Sequence, residues 1–100
     1  MRVELRVEAR QDLIEASLFY EAQREGLGGY FIDHMFSDLE TLDSEAGIHL
    51  VVYGLHRKLS ARFPFAIYYR VEKSLIDVIA ILDCRRDPQA IEQRLGRSVP

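Results

Sequence analysis

The side chains best suited to chemistry are cationic and lie late in the chain. Arg85 and Arg86 stand together directly after Cys84, and guanidinium forks suit carboxylates and phosphates. The competing reading is that one of the two merely pairs with Asp83 or Asp87. Residues 57–100 carry 9 basic and 5 acidic groups (net +4), against 4 basic and 11 acidic (net -7) in residues 1–56. The total of -3 argues against loose, charge-driven nucleic-acid binding by the whole surface and leaves room for a local basic patch. Tyr68 and Arg70 fall on the alternate side of a strand and are candidates for touching a partner. The bland alternative buries Tyr68 under a terminal helix and leaves Arg70 solvated. His56, beside Arg57 and Lys58, could shuttle a proton, although an exposed strand-end histidine accounts for it equally well. Cys84 is the only cysteine, which excludes an intrachain disulfide and a cysteine metal cluster and reads as a small, at least half-buried filler. His34, His49 and His56 share no ligand-like spacing, so neither metal nor cofactor is expected.

The elements that must position these groups centre on residues 58–88. Phe65 to Val71 and Leu75 to Asp83 are two long apolar runs separated by Glu72, Lys73 and Ser74, a pattern that predicts an antiparallel hairpin. The first run alternates, with Phe65, Ile67, Tyr69 and Val71 on one side and Ala66, Tyr68 and Arg70 on the other. The second, polar only at Asp77, predicts a strand covered on both faces. At the start, Met1, Val3, Leu5 and Val7 alternate with charged residues and predict an edge strand. From Ala9 the offsets become helical through Leu13, Ala16 and Tyr20, to about Arg24. Gly26, Gly28 and Gly29 stop that helix. Phe31, Met35, Leu39 and Leu42 begin another, so the two form an antiparallel hairpin with Tyr20 and Phe31 in its core. A strand is expected somewhere within residues 50–59, and Asp87-Pro88 opens a short last helix. The fold class is therefore α+β: a strand, a helical hairpin, a three-stranded antiparallel meander and a short helix, in a single domain spanning residues 1–100. No stretch is long and apolar enough to cross a membrane, and no leader pattern opens the chain, so a cytoplasmic protein is expected.

This order, with Tyr20, Gly26, Leu27, Gly28 and Phe31, then Phe63-Pro64-Phe65 with Tyr69, then Arg85-Arg86-Asp87-Pro88, resembles the RelE/ParE superfamily of toxins from type II toxin-antitoxin modules, which includes plasmid stabilisation proteins. The resemblance covers nearly the whole chain. It implies a growth-inhibiting toxin neutralised by a cognate antitoxin, as a homodimer or a toxin-antitoxin hetero-oligomer, with DNA gyrase or the ribosome and its mRNA as target. Cleavage of RNA by its 2′-hydroxyl needs a base, a cation for the phosphate and an acid. Nucleases of the superfamily carry an arginine where this chain has Ala66, and many carry a histidine where it has Asp83. Arg57, Lys58, Arg62, Asp83 and Arg86 are the candidates for a nuclease reading, with Asp83 as base. The substitutions favour the ParE-like reading, a non-nuclease that binds gyrase, with Tyr68, Arg70, Arg85 and Arg86 as candidate target or antitoxin contacts. A relative without activity, retained for binding, is the third reading.

Overall fold

The computed structural model describes the backbone of residues 1–98 and the side chains of residues 1–96. Its elements are β1 (Arg2–Leu5), α1 (Val7–Gln23), α2 (Leu27–Glu40), α3 (Leu42–Glu45), β2 (Val51–Val52), β3 (Leu55–Leu59), β4 (Phe65–Glu72), β5 (Leu75–Asp83) and α4 (Pro88–Ser98). The strands form one five-stranded sheet in the order β1-β5-β4-β3-β2. Strand β1 runs parallel to β5, and every other pair is antiparallel. The expected α+β plan is present, with the meander extended to four strands by the two-residue β2. The first strand is shorter than its alternation predicts. Arg6 N–H donates to Val78 O at 3.0 Å as the last sheet contact, and Val7, although in step with Val3 and Leu5, opens α1 and is 65% exposed.

The helical hairpin covers one face of the sheet. Ala9, Leu13, Ala16 and Tyr20 of α1, and Phe31, Met35 and Leu39 of α2, are buried against Phe65, Ile67, Tyr69, Ile76, Val78 and Ile81. Gly26 turns the chain at φ +88°, where a side chain would be strained. The Glu21 carboxylate accepts the N–H groups of Gly26 and Gly28, both at 2.9 Å, satisfying donors that open α2.

Strand β5 shows no period of two because it changes sides midway. Tyr68 pairs with Ala80 and Tyr69 with Val78, so Ile79 has no opposite number in β4. This bulge shifts the parity of every later residue. Ile76 and Val78 therefore share the hairpin face with Ile81, while Ile79, Ala80 and Leu82 reach the opposite face. There they join Leu55, Ala66 and Tyr68 beneath Ile91 and Leu95 of α4. Asp87 opens α4 as expected, its Oδ1 accepting Gln89 N–H at 3.0 Å.

Because β1 ends at Leu5, the outer edge of β5 has, among the described residues, no strand beside it beyond Val78. Asp12 of α1 substitutes for the missing neighbour: its Oδ2 accepts Ile81 N–H at 2.9 Å. Both of its oxygens also receive the Arg94 guanidinium, at 2.7 and 2.8 Å. One buried carboxylate thus joins α1, β5 and α4.

Candidate functional site

The end of the sheet where β4 begins and β5 stops brings together three exposed arginines. Arg62 lies in the loop before β4, and Arg85 and Arg86 lie in the turn after β5. The two segments are joined by Cys84 N–H donating to Pro64 O at 2.7 Å. Arg62 Nη1 donates to the Tyr30 hydroxyl at 3.3 Å, and the Tyr30 ring packs edge-on against Phe63 and His34. Phe19 and Tyr30 are 57% and 44% exposed. The aromatic shell of Tyr20, Phe31, Phe63 and Phe65 holds both loops from below. A cleft of about 250 Å³ at this end is lined by Glu15, Ala16, Phe19, Phe65, Asp83 and Arg86.

Arg85 is the arginine that pairs locally. Its backbone N–H and Nε donate to Asp83 Oδ1 at 2.8 and 3.0 Å, and Nη2 donates to Oδ2 at 2.8 Å. The Arg85 side-chain hydrogen bond, then its backbone one, hold the Asp83 carboxyl below its ordinary value against the opposing effect of burial. Arg85 nevertheless keeps 64% of its side chain exposed. Arg86 is exposed, with its backbone N–H on Asp83 O. The end therefore presents guanidinium groups beside exposed rings, an arrangement that accepts carboxylates or phosphates.

The remaining candidates do not gather there. Arg57 and Lys58 are consecutive in β3, so their side chains leave on opposite faces. Arg57 stands opposite Tyr68 on the α4 face, and Lys58 stands opposite Ile67 on the hairpin face. Asp83, opposite Phe65, belongs to the hairpin side. The sheet thus separates Arg57 from Asp83. Lys58, expected as a possible phosphate cation, is 8% exposed. Its ammonium donates to Asp38 O at 2.8 Å, to Glu45 Oε1 at 2.7 Å and to Thr41 Oγ1, so it fastens β3 to α2 and α3. The Lys58 hydrogen bond is the main reason the Glu45 carboxyl lies below its ordinary value.

Tyr68, a candidate partner contact, is 2% exposed and lies under α4. The bland alternative therefore describes it, and burial pushes its hydroxyl pKa up. Arg70 is half-buried, opposite Asp77 in register and 3.5 Å from the Glu72 carboxylate. His56 is not an exposed strand-end residue: it stacks on Tyr69 at 5.1 Å and bonds His49 O through Nδ1 at 2.8 Å. Tyr69 is fully buried, and its hydroxyl accepts Gly47 N–H at 3.2 Å and pairs with His49 Nδ1. Cys84 is exposed rather than a filler, with a thiol pushed up by partial burial and so little thiolate near neutrality. No group of three His, Cys, Asp or Glu side chains among the described residues could hold a metal ion. No helix among them is long and apolar enough to cross a membrane. Sequence reasoning missed the Asp12–Arg94 tie, whose partners lie 82 positions apart. Its one visible signal was an aspartate beside the buried stripe of α1.

The fold is shared with a solved structure. A chain described as belonging to the "Chromosomal ParDE TA system from P. aeruginosa" superposes with a TM-score of 0.67 at 18% identity, covering 81% of this chain and 92% of that one. The RelE/ParE-like architecture read from the sequence is thus present in the structure. No protein-family model and no curated protein matches the sequence.

Proposed function

We propose that this chain is the toxin half of a type II toxin-antitoxin module that arrests growth by gripping a macromolecular target, DNA gyrase foremost, and is neutralised by a cognate antitoxin. The shared fold with a chain of a ParDE toxin-antitoxin system supports the toxin assignment. The observation that carries the non-nuclease reading is the split of the would-be catalytic groups. Arg57 and Asp83 lie on opposite faces of one sheet, Lys58 is committed to Glu45, Thr41 and Asp38, and Asp83 is bound by Arg85. Held below its ordinary pKa, the Asp83 carboxylate is ionised near neutrality but only weakly basic, which suits it poorly to the general-base role that the nuclease reading asks of it. A binding toxin needs no base, only the exposed guanidinium groups of Arg85 and Arg86 and the rings beside them.

The antitoxin has apolar surface to cover along the outer edge of the sheet. Ile48, Leu50, Val51 and Tyr53 around the short edge strand β2, and Leu59 at the end of β3, are all at least 45% exposed. An extended segment ordering on that edge would hide them.

Growth after induction tests the reading. Arg86→Ala is expected to weaken growth arrest roughly tenfold or more, as loss of an anchoring arginine at an interface does, with the far-ultraviolet circular dichroism of the purified protein unchanged. Undiminished arrest by a folded Arg86→Ala protein removes the arginine end from the mechanism.

A further inference from the structure

We infer that the free edge of β1 pairs with the same edge of a second copy of this chain, joining two sheets into one across a two-fold axis. Among the described residues, strand β1 has β5 on one side and no strand on the other. Arg2 N–H donates to Ser74 O at 3.1 Å and Arg6 N–H to Val78 O at 3.0 Å, so the even-numbered residues bond inwards and Val3 turns its N–H and C=O outwards. Two copies of Val3 facing each other on a two-fold axis exchange both bonds.

The side chains fit this register, and the alternative centred on Leu5 would call on Arg6, which already pairs with Asp77 at 3.0 Å. With Val3 on the axis, Arg2 of each copy lies directly opposite Glu4 of the other, on the same face of the sheet. Centring the pair on Arg2 or on Glu4 instead would set like charges opposite each other. The tripeptide Arg2-Val3-Glu4 is thus its own charge complement when reversed, a property that fits a second copy and that an unrelated strand has no reason to match. At present the two charges pair along one strand, Arg2 Nε lying 3.0 Å from Glu4 Oε1, with 74% and 53% of their side chains exposed.

The apolar side of the strand agrees. Val3 and Leu5 line a groove of about 450 Å³ with Leu13, Ile14, Ile32 and Phe36, and Ile14 and Phe36 are 57% and 47% exposed. A two-fold axis through Val3 and normal to the sheet keeps both helical hairpins on one side and brings the two grooves together. Apolar area then closes beside the strand pairing, which is needed because four residues of strand are a small contact.

Sedimentation velocity across a concentration series, up to roughly 100 µM, tests this with the full chain. The expected result is a dimer for the natural sequence. Arg2→Glu and Glu4→Arg should each raise its dissociation constant roughly three- to thirty-fold, since each sets two like-charged pairs opposite one another. The double variant R2E/E4R restores the complement and should restore the dimer. A chain that stays monomeric throughout overturns the inference and gives the edge to a different strand. Dimers indifferent to both single reversals, or not recovered in the double variant, overturn it as well. Circular dichroism of each variant separates lost pairing from lost folding.

Discussion

Asp83 receives three hydrogen bonds from Arg85, one from its backbone and two from its guanidinium. Because the folded carboxyl is held below the ordinary value of 3.8, the stability it contributes is present above that value and is lost as pH falls through the folded pKa. Arg85→Gln removes the first and largest cause. The Asp83 pKa, read from its carboxyl carbon by NMR titration, should move up towards 3.8, and an unmoved value would show that the pair is not what sets it. Lys58 makes the opposite point, that a lysine in a basic stretch can be wholly structural. Lys58→Met removes the ammonium donor of the Glu45 carboxylate and the Asp38 carbonyl, leaving them only the Thr41 hydroxyl to share, and should cost about 1–3 kcal/mol in urea unfolding. It should also raise the Glu45 pKa, which that hydrogen bond does most to lower. The sequence had offered the pairing of one of the two arginines with Asp83 as the competing reading, whereas the role of Lys58 was not legible in it. The partners of Lys58 come from α2 and α3, 13 to 20 positions away, and only the packing of the hairpin on the sheet brings them to β3.

Elements were more readable than contacts. The stripes Ala9, Leu13, Ala16, Tyr20 and Phe31, Met35, Leu39 are buried as spaced, because a helix that covers a sheet must repeat its apolar residues every three to four positions. The end of β1 was misread because Val7 continues the alternation by type while the chain has already left the sheet. Its exposed side chain, with Ile14 at 57% and Leu18 at 64% exposed, belongs to a second apolar stripe on α1. The bulge at Ile79 was invisible since both faces of β5 are covered, so apolar residues satisfy either parity. At this scale α4 is the vulnerable element. It reaches the body through Ile91 and Leu95 on one face of the sheet and through Arg94 on Asp12. Asp12→Ala removes the acceptor of Ile81 N–H and the carboxylate partner of Arg94 together. It should cost about 3–5 kcal/mol, the range for breaking a buried ion pair from one side. Hydrogen exchange at Ile81 should accelerate beyond the change in global stability, and protection scaling only with global stability would deny the edge-capping role.

Across the whole molecule, the fold divides labour between the two ends and faces of one sheet. The acidic half, net -7 over residues 1–56, builds the helical cover, and the net +4 of residues 57–100 supplies the exposed arginines at the far end of β4 and β5. That division suits the proposed reading, a binding toxin whose cations meet a partner, with no proton chemistry asked of Asp83. It was legible in the sequence as a charge asymmetry, whereas the separation of Arg57 from Asp83 by the sheet required the register. The most direct test is to induce the chain in cells and map mRNA 5′ ends alongside the supercoiling of a reporter plasmid. The account predicts relaxed or cleaved plasmid with no new mRNA ends, and an Asp83→Asn variant that still arrests growth. New mRNA ends with normal supercoiling, abolished by Asp83→Asn, would contradict it.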